Sequence, residues 1–161
     1  MKVLAPPLHA ISKNARPYPA DMLPEHGTGL CLFAAAFEGV NDAVHMARRE
    51  MHVTCVDRDS DRLDRMSRLY PDNWHWYPMD AWDFAEQARR DGWTWDIVSV
   101  DTYTGDATDR SLATLELWCA LATKAVTVTV GHHQRYQTPA GWRPSLFPRS
   151  PLADWLVLRR D

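Results

Sequence analysis

The chain has 161 residues, 45% of them hydrophobic and 24% charged, with a formal net charge of -3 at pH 7. That length allows one core of ordinary size, and that balance excludes a disordered or fibrous chain. No apolar run approaches the roughly 18 residues of a membrane span, and prolines break the apolar N-terminus too early for a secretion signal, so a cytoplasmic protein without a membrane partner is expected.

Residues 1–28 are rich in proline and poor in periodicity, which predicts an irregular arm with at most a short helical turn. GLCLFAAA (29–36) is an apolar run of strand length, followed by a helix from about 41 to 51 that Asn41 or Asp42 caps, with Val40, Val44, Ala47 and Met51 on its buried face. HVTCVD (52–57) reads as a second strand, and Ser60, flanked by Asp59 and Asp61, as the cap of a helix striped by Leu63, Met66, Leu69 and Tyr70. WHWYPM (74–79) is a third strand, Trp82 to Arg90 a helix with Phe84, Ala85 and Ala88 inward, and Asp91-Gly92 its stop. WDIVSV (95–100) is a fourth strand, Thr108 or Asp109 starts a further helix, and the β-branched AVTVTV (125–130) is a fifth strand. Trp155 to Leu158 reads as a terminal strand.

Five strands alternating with four helices predict right-handed crossovers, hence an α/β fold of three layers, Rossmann-like, with a mainly parallel sheet, helices on both faces and a C-terminal antiparallel strand. One domain is expected over 1–161, made of the arm (1–28), a core (29–131) and a C-terminal extension (132–161). Cys31, Cys55 and Cys119 lie in apolar segments without C-x-x-C spacing, which predicts reduced core thiols and no metal site.

Charge is uneven along the chain: residues 31–123 carry 9 basic and 17 acidic side chains, residues 124–161 carry 6 basic and 2 acidic. The basic C-terminal piece interleaves Arg135, Arg143, Arg149, Arg159 and Arg160 with Tyr136, Trp142, Phe147 and Trp155, a mixture that could meet a nucleic acid through phosphate contact and base stacking. A solvated hairpin whose aromatics pack on the sheet accounts for the same residues and is the favoured reading.

In an open parallel sheet, ligands sit outside the carboxyl ends of the strands. Asp57, Asp80 and Asp101 each follow a strand there, as helix caps, turn residues or ligand contacts. Asp57 lies 18 positions after Gly39, near the roughly 20-residue gap at which an acid accepts hydrogen bonds from ribose hydroxyls. A dinucleotide and an adenosine fit that acid equally. The first loop, AAAFEGVND, has one glycine where a pyrophosphate needs several, and Phe37 blocks close approach, so a smaller zwitterion is favoured.

CLFAAAFEG (31–39), VTCVDRD (53–59), MDAWDF (79–84) and WDIVSVDTYTGDA (95–107) together resemble the class I S-adenosylmethionine-dependent methyltransferases, over roughly residues 29–131. The segment VDTYTGDA is also similar to spermidine-synthase-like proteins, which share the fold and transfer an aminopropyl group. The resemblance implies S-adenosylmethionine as cofactor, S-adenosylhomocysteine as product, and an unidentified methyl acceptor as substrate. It places Ala35, Phe37, Glu38 and Gly39 in the first motif, Asp57 with Arg58 at the ribose, Asp80 with Ala81 at the adenine, and Asp101 near the transferred group. Ala35 and Phe37 stand where the motif has glycines, and Phe33 where it has an acid.

The loop Asp101-Thr102-Tyr103-Thr104 departs from the D/N-P-P-Y/F pattern of enzymes that methylate nucleobase amines. Asp101 and Tyr103 are the candidate catalytic residues: Asp101 as a base, an acceptor-holding group or a helix cap, and Tyr103, like Thr104, as a substrate contact or a turn residue. His132 and His133, after the fifth strand, are a further candidate base or exposed loop residues. Three readings follow: a methyltransferase, a methyltransferase-like fold used as a binding or regulatory module, and an aminopropyltransferase-like enzyme.

Overall fold

Leu30 and Leu32 enter one hydrophobic core while Cys31, between them, enters another, because successive side chains of a strand point to opposite faces. The computed structural model describes residues 18–34, 42–102 and 105–161, and the two cores lie on either side of one sheet. Its parallel strands are β1 (Thr28–Leu32), β2 (His52–Val56), β3 (His75–Tyr77), β4 (Trp95–Val100) and β5 (Ala122–Gly131). β6 (Trp142–Ser150) and β7 (Ala153–Arg160) run antiparallel to each other, and β7 is antiparallel to β5. The order is β3-β2-β1-β4-β5-β7-β6. The chain order therefore reverses between β1 and β4, and a crevice opens at their carboxyl ends.

On one face lie α1 (Asp42–Arg48) and α2 (Ser60–Ser67), burying Val44, Met46, Leu63 and Met66. On the other lie α3 (Ala81–Arg90), α4 (Gly105–Ala113) and α5 (Leu115–Leu121), burying Phe84, Leu112 and Trp118. α1 can approach β1 closely because Gly29 has no side chain; a Cβ there would collide with the Met46 sulfur. The α/β, mainly parallel, three-layer architecture expected from the alternation of elements is present.

Several boundaries differ from expectation. The first strand stops at Leu32 rather than running to residue 36, since Phe33 turns the chain out of the sheet with φ 61. α1 ends at Arg48 rather than near 51, because the chain reverses through Glu50 (φ 53) and the Met51 amide returns to the Met46 carbonyl. Asp42 belongs to the helix, and Asn41 lies outside the described residues. Asp59, not Ser60, caps α2 by accepting from the Arg62 amide at 3.0 Å. The single helix expected after β4 is two short ones, separated at Thr114, whose hydroxyl returns to the Arg110 carbonyl at 2.8 Å.

The C-terminal piece is an antiparallel pair of strands, in keeping with the hairpin reading, although only Trp155 to Leu158 is marked as a strand in the sequence. β6 carries Pro144 and Pro148, which an edge strand tolerates because one side of its backbone has no partner strand among the described residues. Of the N-terminal arm, residues 18–28 are described and contain one short 3-10 turn, Ala20–Met22. Cys31, Cys55 and Cys119 are buried and unpaired. Among the described residues no helix is long and apolar enough to cross a membrane.

Candidate functional site

The carboxyl ends of β2, β3 and β4 bring the three predicted aspartates to one edge of the sheet. Asp57 follows β2, half-buried; its amide donates to the Tyr77 carbonyl at 3.2 Å, and its Oδ1 accepts from the Asp59 amide at 2.8 Å. Arg58 beside it is exposed. Asp80 follows β3 and caps α3, Oδ1 accepting from the amides of Trp82 (2.9 Å) and Asp83 (3.1 Å). Ala81 points into the core, so only its backbone can meet a ligand. Ala35, Phe37, Glu38, Gly39 and Tyr103 lie outside the described residues.

Asp101, at the end of β4, is buried. Its Oδ1 accepts from Arg149 Nη2 at 2.5 Å, and the same guanidinium donates through Nη1 to Thr129 and lies 4.1 Å over the Trp155 ring. Nothing in the sequence pairs Arg149 with Asp101. Arg149 reads there as one of several basic residues in a C-terminal piece, yet it is the one buried in the sheet. Arg143 by contrast pairs with Asp161 at the surface, and His132 with Asp154 at 3.4 Å.

A second buried carboxylate faces this pair. Asp42, on α1, is 3% exposed, and its Oδ2 accepts from the Ser99 hydroxyl of β4. The Thr127 hydroxyl donates to Ser99 at 2.9 Å, which leaves Tyr18 as the donor to Thr127, also at 2.9 Å. Three hydroxyls thus donate one step each towards Asp42. Burial pushes the Asp42 carboxyl well above the ordinary carboxylate range, the Asp101 charge pushes it further, and Arg149 opposes both. Sequence reasoning treats Asp42 as a cap and misses this role. The available signal is the occurrence of Ser99 and Thr127 inside otherwise apolar buried strands, where a polar side chain needs a buried partner.

Asp42, Asp101, Cys31, Phe33 and Ala34 line a small pocket at the end of β1. Phe33, in its left-handed conformation, packs edge-on against Trp82 at 5.2 Å. A larger cleft opens beside it at the ends of β4 and β5, lined by Thr102, Thr108, Thr129, Gln134 and Leu152. Thr102 and Thr108 share a hydrogen bond of 2.9 Å, and Gln134 bonds the Gly131 amide and Asp109. Among the described residues no group of three or more histidine, cysteine, aspartate or glutamate side chains is placed to hold a metal.

No family model matches the sequence, and no curated protein matches it. Solved structures match the fold. A conserved hypothetical protein of Streptococcus pyogenes shares 18% identity over 84% of this chain and 86% of its own, with a TM-score of 0.65. A SAM-dependent methyltransferase from Agrobacterium tumefaciens shares 16% identity over 88% of this chain and 58% of its own, with a TM-score of 0.60. SMU.776, solved in complex with SAH, shares 14% identity over 87% of this chain and 47% of its own, with a TM-score of 0.57. The sheet order, the antiparallel β6–β7 pair and these matches give the chain the α/β Rossmann-like fold of the class I SAM-dependent methyltransferases.

Proposed function

We propose that the protein is a methyltransferase that uses S-adenosylmethionine. The observation that carries this reading is the placement of Asp57 and Asp80 at the carboxyl ends of adjacent parallel strands, on the same edge as the pocket that ends β1. The residues present fit the cofactor. Asp57 offers a carboxylate to vicinal hydroxyls, and Asp80, whose cap bonds fall on Oδ1, offers acceptor capacity to an exocyclic amine. When bound, the cofactor supplies a methyl group on a sulfonium and leaves as S-adenosylhomocysteine.

The chain's own part in such a transfer is alignment. The threonine-lined cleft beside Thr102 is the place for the acceptor, next to the end of β4. Asp101 is engaged by Arg149, so its part is to hold that edge rigid rather than to collect a proton. The same ion pair favours a second reading, a methyltransferase-like fold kept for partner binding, since the carboxylate that ends β4 is already taken.

Calorimetric titration with S-adenosylmethionine and S-adenosylhomocysteine separates the two. Micromolar binding that Asp57→Ala abolishes supports the enzyme. No binding at millimolar ligand overturns it and leaves the binding module.

A further inference from the structure

Among the described residues, the interior beside the pocket holds two carboxylates, Asp42 and Asp101, and one guanidinium, Arg149. Arg149 directs its donors to Asp101 and Thr129, not to Asp42. Asp42 therefore relies on a single hydroxyl, Ser99, at Oδ2, and its Oδ1 has no hydrogen-bond partner among the described residues. A buried oxygen of this kind carries the full desolvation penalty unless it holds a proton or meets a donor. With Tyr18, Thr127 and Ser99 donating in turn towards Asp42, Oδ2 is an acceptor, and Oδ1 is the oxygen left to hold a proton. Oδ1 is thus the atom at which a proton and a cationic donor compete.

We propose that Asp42 is the group that receives an ammonium of the bound ligand, exchanging its proton for that cation. The inference rests on the proposed cofactor, whose amino-acid end carries an ammonium. Among the described residues, the groups facing Asp42 are Cys31 from β1, Ser99 from β4, Asp101 after β4, Arg149 from β6 and Tyr18 from the arm, with His45 stacked on Tyr18 from α1 itself. Arg149 is the one permanent cation among them. Binding breaks the O–H bond at Oδ1, releases that proton to solvent and forms an N–H···O contact in its place. No covalent change in the ligand is involved.

The test is the affinity of the full chain for S-adenosylhomocysteine, which carries the ammonium, and for 5′-methylthioadenosine, which lacks the amino-acid end, from about pH 5 to about pH 8. The expected result is that S-adenosylhomocysteine binds more weakly as pH falls, by up to about tenfold per pH unit where Asp42 is protonated. Methylthioadenosine shows no such slope. Asp42→Asn, which keeps the Ser99 contact, removes the slope and weakens S-adenosylhomocysteine by roughly tenfold or more, while methylthioadenosine binds as before. A flat wild-type profile with both ligands bound overturns the role of Asp42 and leaves the cofactor assignment standing. An equal loss of both ligands in Asp42→Asn also overturns it, as a merely structural effect. Failure of the wild type to bind either ligand overturns the cofactor assignment and this role with it.

Discussion

Arg149 Nη2 lies 2.5 Å from Asp101 Oδ1, an ion pair between residues 48 positions apart that ties the end of β6 to the end of β4 across two intervening strands. The side chains are 1% and 6% exposed, so neither charge has water to fall back on. Removing one partner strands the other in the interior. Arg149→Ala is expected to cost about 3–5 kcal/mol of stability in urea unfolding, whereas Asp101→Asn with Arg149→Met recovers most of that loss. A double variant as unstable as Arg149→Ala alone would show that the guanidinium acts by packing on Trp155 rather than by charge.

Asp42 predicts a pH dependence of stability. Its carboxyl is raised in the folded protein, chiefly by burial, so the folded state holds the proton more tightly than the unfolded state. The associated stability is complete below the ordinary carboxylate value of about 4 and is lost as pH rises through the raised folded value. Urea midpoints should therefore fall across that window in the wild type and less in Asp42→Asn. The Cys119 thiol, pushed up to about 12 by burial, titrates far above it.

Asp80 is expected to do two things that measurements can separate. As the cap of α3 it is worth about 1 kcal/mol, so Asp80→Ala and the α2 cap variant Asp59→Ala should lower stability by similar amounts. As the proposed adenine contact, only Asp80 should lower affinity for S-adenosylhomocysteine severalfold beyond the loss in Asp59→Ala. Equal affinity in the two variants would remove Asp80 from the binding site.

Asp96 supplies the control at the opposite edge of the sheet. It accepts from the Thr28 amide at 3.0 Å and the Thr123 hydroxyl at 3.2 Å, and lies 3.3 Å from Lys124 Nζ, joining the amino-terminal ends of β1, β4 and β5. Partial burial works against its charge, but the Thr28 amide and Lys124 together hold its carboxyl below the ordinary value. Asp96→Ala should cost about 1–3 kcal/mol, largest above the ordinary carboxylate value and vanishing in acid, with ligand affinity unchanged. A change in affinity would mean that strand register at one edge is transmitted to the other.

The strands from β1 to β5 were legible in the sequence because their signal is local: short apolar runs such as HVTCVD and WDIVSV, broken by capped helices, leave a parallel sheet as the way to bury both faces. Asp57, Asp80 and Asp101 were legible for the same reason, since a residue that ends a strand in sequence ends it in space. The stop at Phe33 was not legible, as AAAF continues the apolar pattern while the backbone leaves it through a left-handed residue. Nor was β6, whose prolines argue against a strand until its place at the sheet edge is known. The partners of Asp42 and Asp101 were decided by tertiary structure alone. Ser99 reaches Asp42 because β4 lies beside β1, against which α1 packs, and Arg149 reaches Asp101 from the place between Pro148 and Ser150 where the β6–β7 register shifts. Local periodicity determines which residues stand at the edge of the sheet; the order of the strands, a non-local property, determines which of their charges meet.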